Sequence, residues 1–157
     1  MRLAIQVGLV LLIAVLAFFL YRSITEPYQE KLEREREVQM GRERMDDVRT
    51  TLIAFRDAYD GYPSTLDSLV TYARTDTTFT EPTFEDDENR LTSFSVDSLG
   101  LSARSGAPFN YEVVQQEDST GAPTGVQIYW LQDPAAPEDS IGSRDANPSN
   151  RNRESWI

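Results

Sequence analysis

The sequence predicts an α+β protein: an N-terminal transmembrane helix continues into a long amphipathic helix, which packs on a short helix and a small antiparallel β-hairpin. Three observations carry this prediction. Residues 3–21 are uncharged and apolar, residues 45–62 place apolar side chains in steps of three and four, and two segments after residue 108 alternate apolar with polar residues. Steps of three and four are typical of one helix face, and alternation is typical of a half-buried strand.

The organisation of the 157-residue chain follows from these patterns. We predict a transmembrane anchor over residues 1–22, a charged helical stalk over 23–44, a small α+β domain over 45–132 and an irregular polar tail over 133–157. One ordinary domain with an anchor agrees with this length, since two full domains would need a longer chain.

The anchor contains one strongly polar side chain, Gln6, in a stretch of 19 uncharged residues. At about 1.5 Å per residue a helix of this length extends about 28 Å, close to the hydrocarbon thickness of a bilayer. A cleaved signal peptide is the alternative, but its basic region would be only Met1 and Arg2 and its apolar region would be unusually long. We expect Gln6 to be available for an intramembrane hydrogen bond. The residues predicted to anchor the helix in lipid are Leu3, Leu9, Leu12, Phe18 and Phe19.

Two signals for the orientation of the anchor disagree. The basic residues after the anchor, beginning with Arg22, favour a cytoplasmic C-terminal part. The very short N-terminal tail, in contrast, is typical of a signal anchor that sends its C-terminal side across the membrane. We predict a cytoplasmic N-terminus and an extracytoplasmic C-terminal part.

Charge and composition exclude several functions. Residues 73–157 carry six Lys and Arg against fifteen Asp and Glu, so nucleic acid and anionic lipid headgroups would repel this part. The chain has no His and no Cys, which excludes histidine-dependent triads, thiol catalysis and zinc sites built on these residues. The acidic run at residues 81–88 is predicted to be a solvated loop, with calcium binding as the alternative. We expect no enzymatic activity, no cofactor, no bound metal ion and no small-molecule substrate.

A long helix is predicted over residues 22–60, with an interruption at Pro27. Residues 28–44 are dominated by Glu and Arg and are predicted to be a solvated stalk, with a partner helix as the alternative. The next stretch is predicted to pack across the chain's own domain, and a coiled coil with a second chain is the alternative. Its packing stripe consists of Met45, Val48, Leu52, Phe55 and Tyr59, extended by Val38 and Gly41 before it and by Tyr62 after it.

Turn signals delimit the following elements. Gly61 is predicted to cap the long helix, Pro63 to prevent its continuation, and Ser64 to begin a short helix with Leu66, Leu69 and Val70 on its apolar face. Residues 74–90 are predicted to be a polar loop. Residues 109–115 and 125–132 alternate as strands and flank a turn-rich connection, which predicts a β-hairpin. Residues 133–157 are rich in Pro, Ser and Asn without periodicity, which predicts an irregular tail.

Residues 45–72 resemble the passage in which the long helix ends in type II secretion pseudopilins and type IV pilins. The resemblance implies a small pilin-like domain over 45–132, a single pass through the bacterial inner membrane and a periplasmic location. It also implies a structural role beside other membrane subunits, or self-assembly into a filament with copies of the same chain. Family precursors carry a basic leader and a glutamate near the start of the apolar stretch, whereas here Arg2 precedes the stretch and Gln6 is the nearest polar group. The matching pattern is Leu52-x6-Tyr59-x-Gly61-Tyr62-Pro63-x2-Leu66-x2-Leu69.

Overall fold

The computed structural model describes residues 2–77, 79–84, 89–117, 119–145 and 147–157. Two helices and one three-stranded sheet make up its regular structure, so the predicted α+β class is confirmed. Two compact units, Met1–Arg36 and Glu37–Ile157, divide the chain. The elements are α1 (Arg2–Tyr59), α2 (Leu66–Thr75), β1 (Asn110–Glu117), β2 (Pro123–Asp133) and β3 (Ala136–Gly142), with short 3₁₀ turns at Val96–Ser98 and Pro148–Asn150.

The first unit is the N-terminal part of α1. The helix continues through Pro27, where the sequence predicted an interruption. The Thr25 hydroxyl donates a hydrogen bond to the Tyr21 carbonyl at 2.8 Å, one turn before the proline. Among the described residues, only this helix is long and apolar enough to cross a membrane, and its apolar stretch lies near the N-terminus.

The core of the second unit joins the C-terminal part of α1 to one face of the sheet. Residues two apart on a strand share a face, so Tyr129 and Leu131 of β2 lie on the same side. Ile141 of β3 pairs with Leu131 and extends that side across the sheet. The buried cluster consists of Met45, Val48, Leu52, Tyr62, Leu69, Tyr72, Ala73, Leu99, Phe109, Tyr129, Leu131 and Ile141.

The sheet has the order β1–β2–β3, and both strand pairs are antiparallel. The predicted hairpin is confirmed, since Tyr111 of β1 pairs with Leu131 of β2. The prediction of an irregular tail was wrong for residues 136–142, which form β3. The sequence of β3, APEDSIG, has little strand propensity of its own. Pairing with β2 and burial of Ile141 therefore stabilise this strand despite its low intrinsic propensity.

Two predicted caps are displaced by one residue. The left-handed residue after α1 is Asp60, with φ of 56°, and not Gly61. Its N–H donates to the Arg56 carbonyl at 2.7 Å, and Asp tolerates this conformation because its short side chain is locally polar. At α2 the capping side chain is Thr65, which accepts a hydrogen bond from the Ser68 N–H at 3.2 Å, and not Ser64.

Candidate functional site

The apolar side chains at the start of α1 are exposed throughout. Leu3 is 76% exposed and Val15, the least exposed large apolar residue of this stretch, 49%. Gln6 is also exposed and lies on one helix face with Leu3, Val7 and Val10. An exposed apolar area of this extent is typical of a surface that contacts lipid or another protein. The predicted anchor residues Leu9, Leu12, Phe18 and Phe19 belong to the same exposed stretch.

The predicted packing stripe lies in the second unit and is largely covered by the chain's own domain. Met45, Val48 and Leu52 are fully buried, and Phe55 packs partly buried against the core. Tyr59 is different, because 58% of it is exposed. Its hydroxyl donates a hydrogen bond of 2.6 Å to Asp76, the residue that follows α2.

Before the stripe, α1 contacts the domain through a buried arginine, Arg104. The Arg104 side chain donates to the carbonyls of Glu37 and Val38 at 3.2 and 3.1 Å. This approach requires a glycine on the helix, because a Cβ at Gly41 would come within 2.4 Å of the Arg104 Nε. Gly41 therefore provides space for a guanidinium of the same chain.

Arg104 also binds one carboxylate at the end of β2 and one within β3, and we call this group the Arg104 cluster. Its Nη2 donates to Asp139 at 2.5 Å, and its Nε lies 3.7 Å from Asp133. Arg42 of α1 adds a second guanidinium at 3.0 Å from Asp139. Both carboxylates are almost fully buried, so each depends on these charges for its stability in the interior.

A second buried ion pair, the Asp47 cluster, holds the loop before the 3₁₀ turn Val96–Ser98 on α1. Arg90 donates to Asp47 at 2.5 Å, and Arg44 lies 3.9 Å from the same carboxylate. Burial raises the pKa of Asp47 above its ordinary value, while the hydrogen bond and the charge of Arg90 oppose the rise. Asp47 is fully buried, so the pair is enclosed by protein.

Glu43 fixes the same loop by accepting hydrogen bonds from its backbone. The N–H groups of Leu91 and Thr92 donate to the carboxylate at 2.9 and 2.8 Å, and the Thr92 hydroxyl donates at 3.0 Å. Partial burial acts to raise the pKa of Glu43. The hydrogen bonds from Leu91, Gln39 and Thr92 outweigh this effect and leave the pKa below its ordinary value of 4.5.

These contacts change the interpretation of the predicted stalk. The predicted stalk ends at residue 44, whereas the boundary between the units follows Arg36. Gly41 is buried and the Arg44 side chain is only 11% exposed, so the end of the predicted stalk belongs to the domain. Sequence spacing could not show this, because Arg42 and Asp47 have partners that lie 97 and 43 residues further along the chain.

The C-terminal residues are attached to the same helix. Arg49 forms ion pairs with Asp46 and with Glu154. The Trp156 ring lies under the Arg42 guanidinium, 5.1 Å from its centroid, and packs against the core. Ile157, in contrast, is 92% exposed. Glu154 and Trp156 are therefore held in part by contacts with α1.

The helix-end turn, Gly61-Tyr62-Pro63, contacts both strands of the predicted hairpin. The Tyr62 N–H donates to the Gln127 side chain at 2.9 Å, and the Tyr111 hydroxyl donates to the Pro63 carbonyl at 2.8 Å. Burial raises the pKa of Tyr111, so its hydroxyl stays protonated and able to donate. A side chain at Gly61 would approach Gln127, with its Cβ at 3.0 Å from the amide oxygen.

Within the described residues, no group of three or more Asp or Glu side chains could hold a metal ion. Of the acidic run at 81–88, residues 85–88 lie outside the described residues. The buried carboxylates of Asp47, Asp133 and Asp139 each face an arginine, which suits a structural role. Sequence reasoning missed the arginines at 90 and 104. The one available signal was that the acidic distal part, residues 73–157, contains only six basic residues.

Comparisons with family models, with curated proteins and with solved structures gave no match to this chain. The described residues form an α+β chain with a single candidate membrane helix near the N-terminus. The second unit contains buried ion pairs.

Proposed function

We propose that this chain is a non-enzymatic, membrane-anchored structural subunit of a bacterial cell-envelope complex, with a pseudopilin-like extracytoplasmic domain. The observation that carries the proposal is the exposed apolar stretch at residues 3–21. Lipid and the transmembrane helices of other subunits are the surroundings that suit such a surface. The domain serves to present a binding surface at a fixed place beside the membrane.

The internal contacts of the second unit support a structural role. Two buried ion clusters and the Glu43 hydrogen bonds fix long loops to the helix. Such groups order a surface, and each buried carboxylate is held by an arginine of the same chain. The helix-end turn supports the pseudopilin-like assignment, because the residues of the pattern join the helix to the sheet in one place.

The proposed location is the bacterial inner membrane, with the N-terminus in the cytoplasm and the domain in the periplasm. The acidic balance of the domain supports a protein partner over lipid headgroups, since anionic headgroups would repel it.

A self-assembling filament subunit is the second candidate, and the resemblance at residues 45–72 favours it. In the filaments of that family, a glutamate near the start of the apolar stretch is thought to pair with the amino terminus of the neighbouring subunit. Here Gln6 stands nearest to that place. A neutral amide can form a hydrogen bond but offers no ion pair, which favours the accessory subunit over the filament.

The test is the composition of the particle that the chain forms in native membranes. The full chain is extracted in a mild detergent, and its mass and stoichiometry are measured by native mass spectrometry. We expect one fixed stoichiometry with unrelated chains. A helical polymer of this chain alone would support the filament, and a water-soluble native form lacking residues 1–17 would contradict both candidates.

A substitution at Gln6 tests whether the anchor makes a specific contact in the membrane complex. The variant Gln6→Leu removes the amide and keeps the segment apolar, and Val10→Leu on the same helix face is the matched control. We expect Gln6→Leu to weaken the complex, since a hydrogen bond between transmembrane helices contributes about 0.6 kcal/mol and at most about 2. Equal complex yields for the two variants would show that the anchor acts only as a tether.

A further inference from the structure

A groove of about 430 Å³ lies between α2 and the beginning of β1. Apolar side chains of both helix and loop line it, among them Leu66, Val70 and Leu101. The carboxylates of Asp67 and Asp97 line it as well. Leu101 is 39% exposed, so apolar surface is accessible from solvent beside the carboxylates. This combination suits a ligand that carries both an apolar group and a positive charge.

The strand next to this groove has a free edge. β1 is the first strand of the order β1–β2–β3, and in the described part of the chain its ladder over 110–117 has β2 as its one partner. Just before β1, residues 100–102 pair with 107–109, through the Ser102 N–H on the Ala107 carbonyl and the Phe109 N–H on the Gly100 carbonyl. This pairing stops where β1 begins, next to the groove.

The opposite edge of the sheet is covered by the chain itself. The C-terminal segment runs along β3, with hydrogen bonds of 2.9 Å from the Gly142 N–H to the Arg153 carbonyl and from the Ser155 N–H to the Ser140 carbonyl. Ile141 and Glu154 form a bridge between the two segments. Proteins commonly protect sheet edges because an open edge is a template for another strand. Within the described residues, the C-terminal segment protects the edge at β3 and not the edge at β1.

Charge restricts what can bind the open edge. Residues 37–157 carry ten Lys and Arg against twenty-two Asp and Glu, a balance of −12. Among the described residues Asp67 forms no ion pair, whereas Asp97 pairs with Arg74 at the surface. An unpaired carboxylate next to apolar surface favours a lysine or arginine. A second copy of this acidic domain would be repelled.

We propose that β1 and the adjoining groove bind an extended, basic segment of a partner subunit. The segment adds a fourth strand along β1, places an apolar side chain against Leu66 and Leu101, and places a Lys or Arg beside Asp67. Backbone hydrogen bonds supply the affinity, and the groove supplies the choice of side chain. This inference extends the proposed function, since it specifies which surface of the subunit contacts its partner.

The test uses the full chain in detergent and three fluorescent octapeptides, measured by fluorescence anisotropy. The first peptide alternates lysine and valine. The second has the same residues with every amide N-methylated, so it keeps the charge but has no N–H group to donate along either edge. The third alternates glutamate and valine. We expect the first peptide to bind at least about tenfold more tightly than either of the others, since strand addition needs free amides as well as charge.

Two variants of the protein locate the site. Asp67→Asn removes the unpaired carboxylate and is expected to weaken binding of the first peptide about threefold, the effect of one exposed ion pair. Glu138→Gln removes the same charge next to the covered edge and should leave binding unchanged. Unfolding midpoints followed by tryptophan fluorescence check that both variants are folded.

Equal binding of the first and the N-methylated peptide would overturn the proposal, because attraction by charge alone would then explain it. No binding of the first peptide, or equal weakening by both variants, would overturn it too. The measurement uses the purified chain, so its failure is distinct from a failure of the proposed membrane complex, which rests on the composition of the native particle.

Discussion

Two stretches of α1 are both rich in charged residues, but those residues have different partners. Residues 28–36 contain six charged side chains in nine positions, and residues 37–49 contain seven in thirteen. In the first stretch, the ion pair Lys31–Glu35 is local, with side chains 74% and 60% exposed. In the second, Arg42, Glu43 and Asp47 bind residues 43 to 97 positions away. Charge density therefore does not distinguish a solvated helix from one that docks through ion pairs; the position of the partners does.

The comparison has an energetic consequence. An exposed pair contributes little, because water solvates both charges and the side chains lose rotamer freedom when they pair. A buried pair adds little net stability over apolar residues, but removal of one member leaves an uncompensated charge in the interior. Substitutions in the two stretches should thus differ by several kcal/mol although the residues removed are of the same type.

The largest effect is expected for Arg104→Met. The substitution keeps the apolar stem and leaves Asp133 and Asp139 without their shared guanidinium, which should destabilise the protein by about 3–5 kcal/mol. The matched control is Arg34→Met in the exposed stretch, with an expected change of about 0.5 kcal/mol or less. Urea unfolding of the full chain in detergent, followed by the fluorescence of Trp130 and Trp156, measures both. Equal losses in the two variants would abolish the distinction between buried and exposed charges.

The next effect is expected for Gly41→Ala. Alanine favours a helix over glycine by about 1 kcal/mol, so the backbone alone predicts stabilisation. The new Cβ would come within 2.4 Å of the Arg104 Nε, however, and would displace a guanidinium fixed by two carboxylates. Because forced displacement costs about 1–3 kcal/mol, we expect net destabilisation of about 1 kcal/mol. Gly8→Ala, where a Cβ meets nothing within 4 Å, should not destabilise the protein in the same unfolding experiment.

The sequence predicted those parts of the fold whose signal is local. Alternation over 109–115 and 125–132 marks the hairpin because each strand has one buried face, and the periodicity of Met45, Val48 and Leu52 marks the buried face of α1. β3 could not be predicted, since its residues become a strand only through pairing with β2. The charges that fix the domain could not be predicted either, because Arg90 and Arg104 lie in loops whose path depends on the finished core.

An intermediate effect is expected for Glu43→Gln. The amide keeps the shape of the carboxylate but accepts weaker hydrogen bonds from Leu91 and Thr92, at a cost of about 1 kcal/mol or less near neutral pH. The folded pKa of Glu43 lies below 4.5, so its contribution is complete above that pH and declines as the pH falls through the folded pKa. The stability difference between wild type and variant should therefore shrink below pH 4.5, as urea midpoints at several pH values can show. A constant difference across this range would mean that the charge of Glu43 is unimportant.

The smallest effects are expected for exposed ion pairs. They test whether burial or membership of the second unit determines how much an ion pair contributes. Lys31→Gln breaks an exposed pair in the first unit, and Arg74→Gln breaks the exposed pair with Asp97 in the second, where the side chains are 60% and 85% exposed. If solvation decides the strength of an ion pair, both substitutions should change the free energy of unfolding by about 0.5 kcal/mol or less. Salt should reduce both changes further, because exposed charges are screened. A loss from Arg74→Gln as large as that from Arg104→Met would show that membership of the domain, and not burial, makes its ion pairs strong.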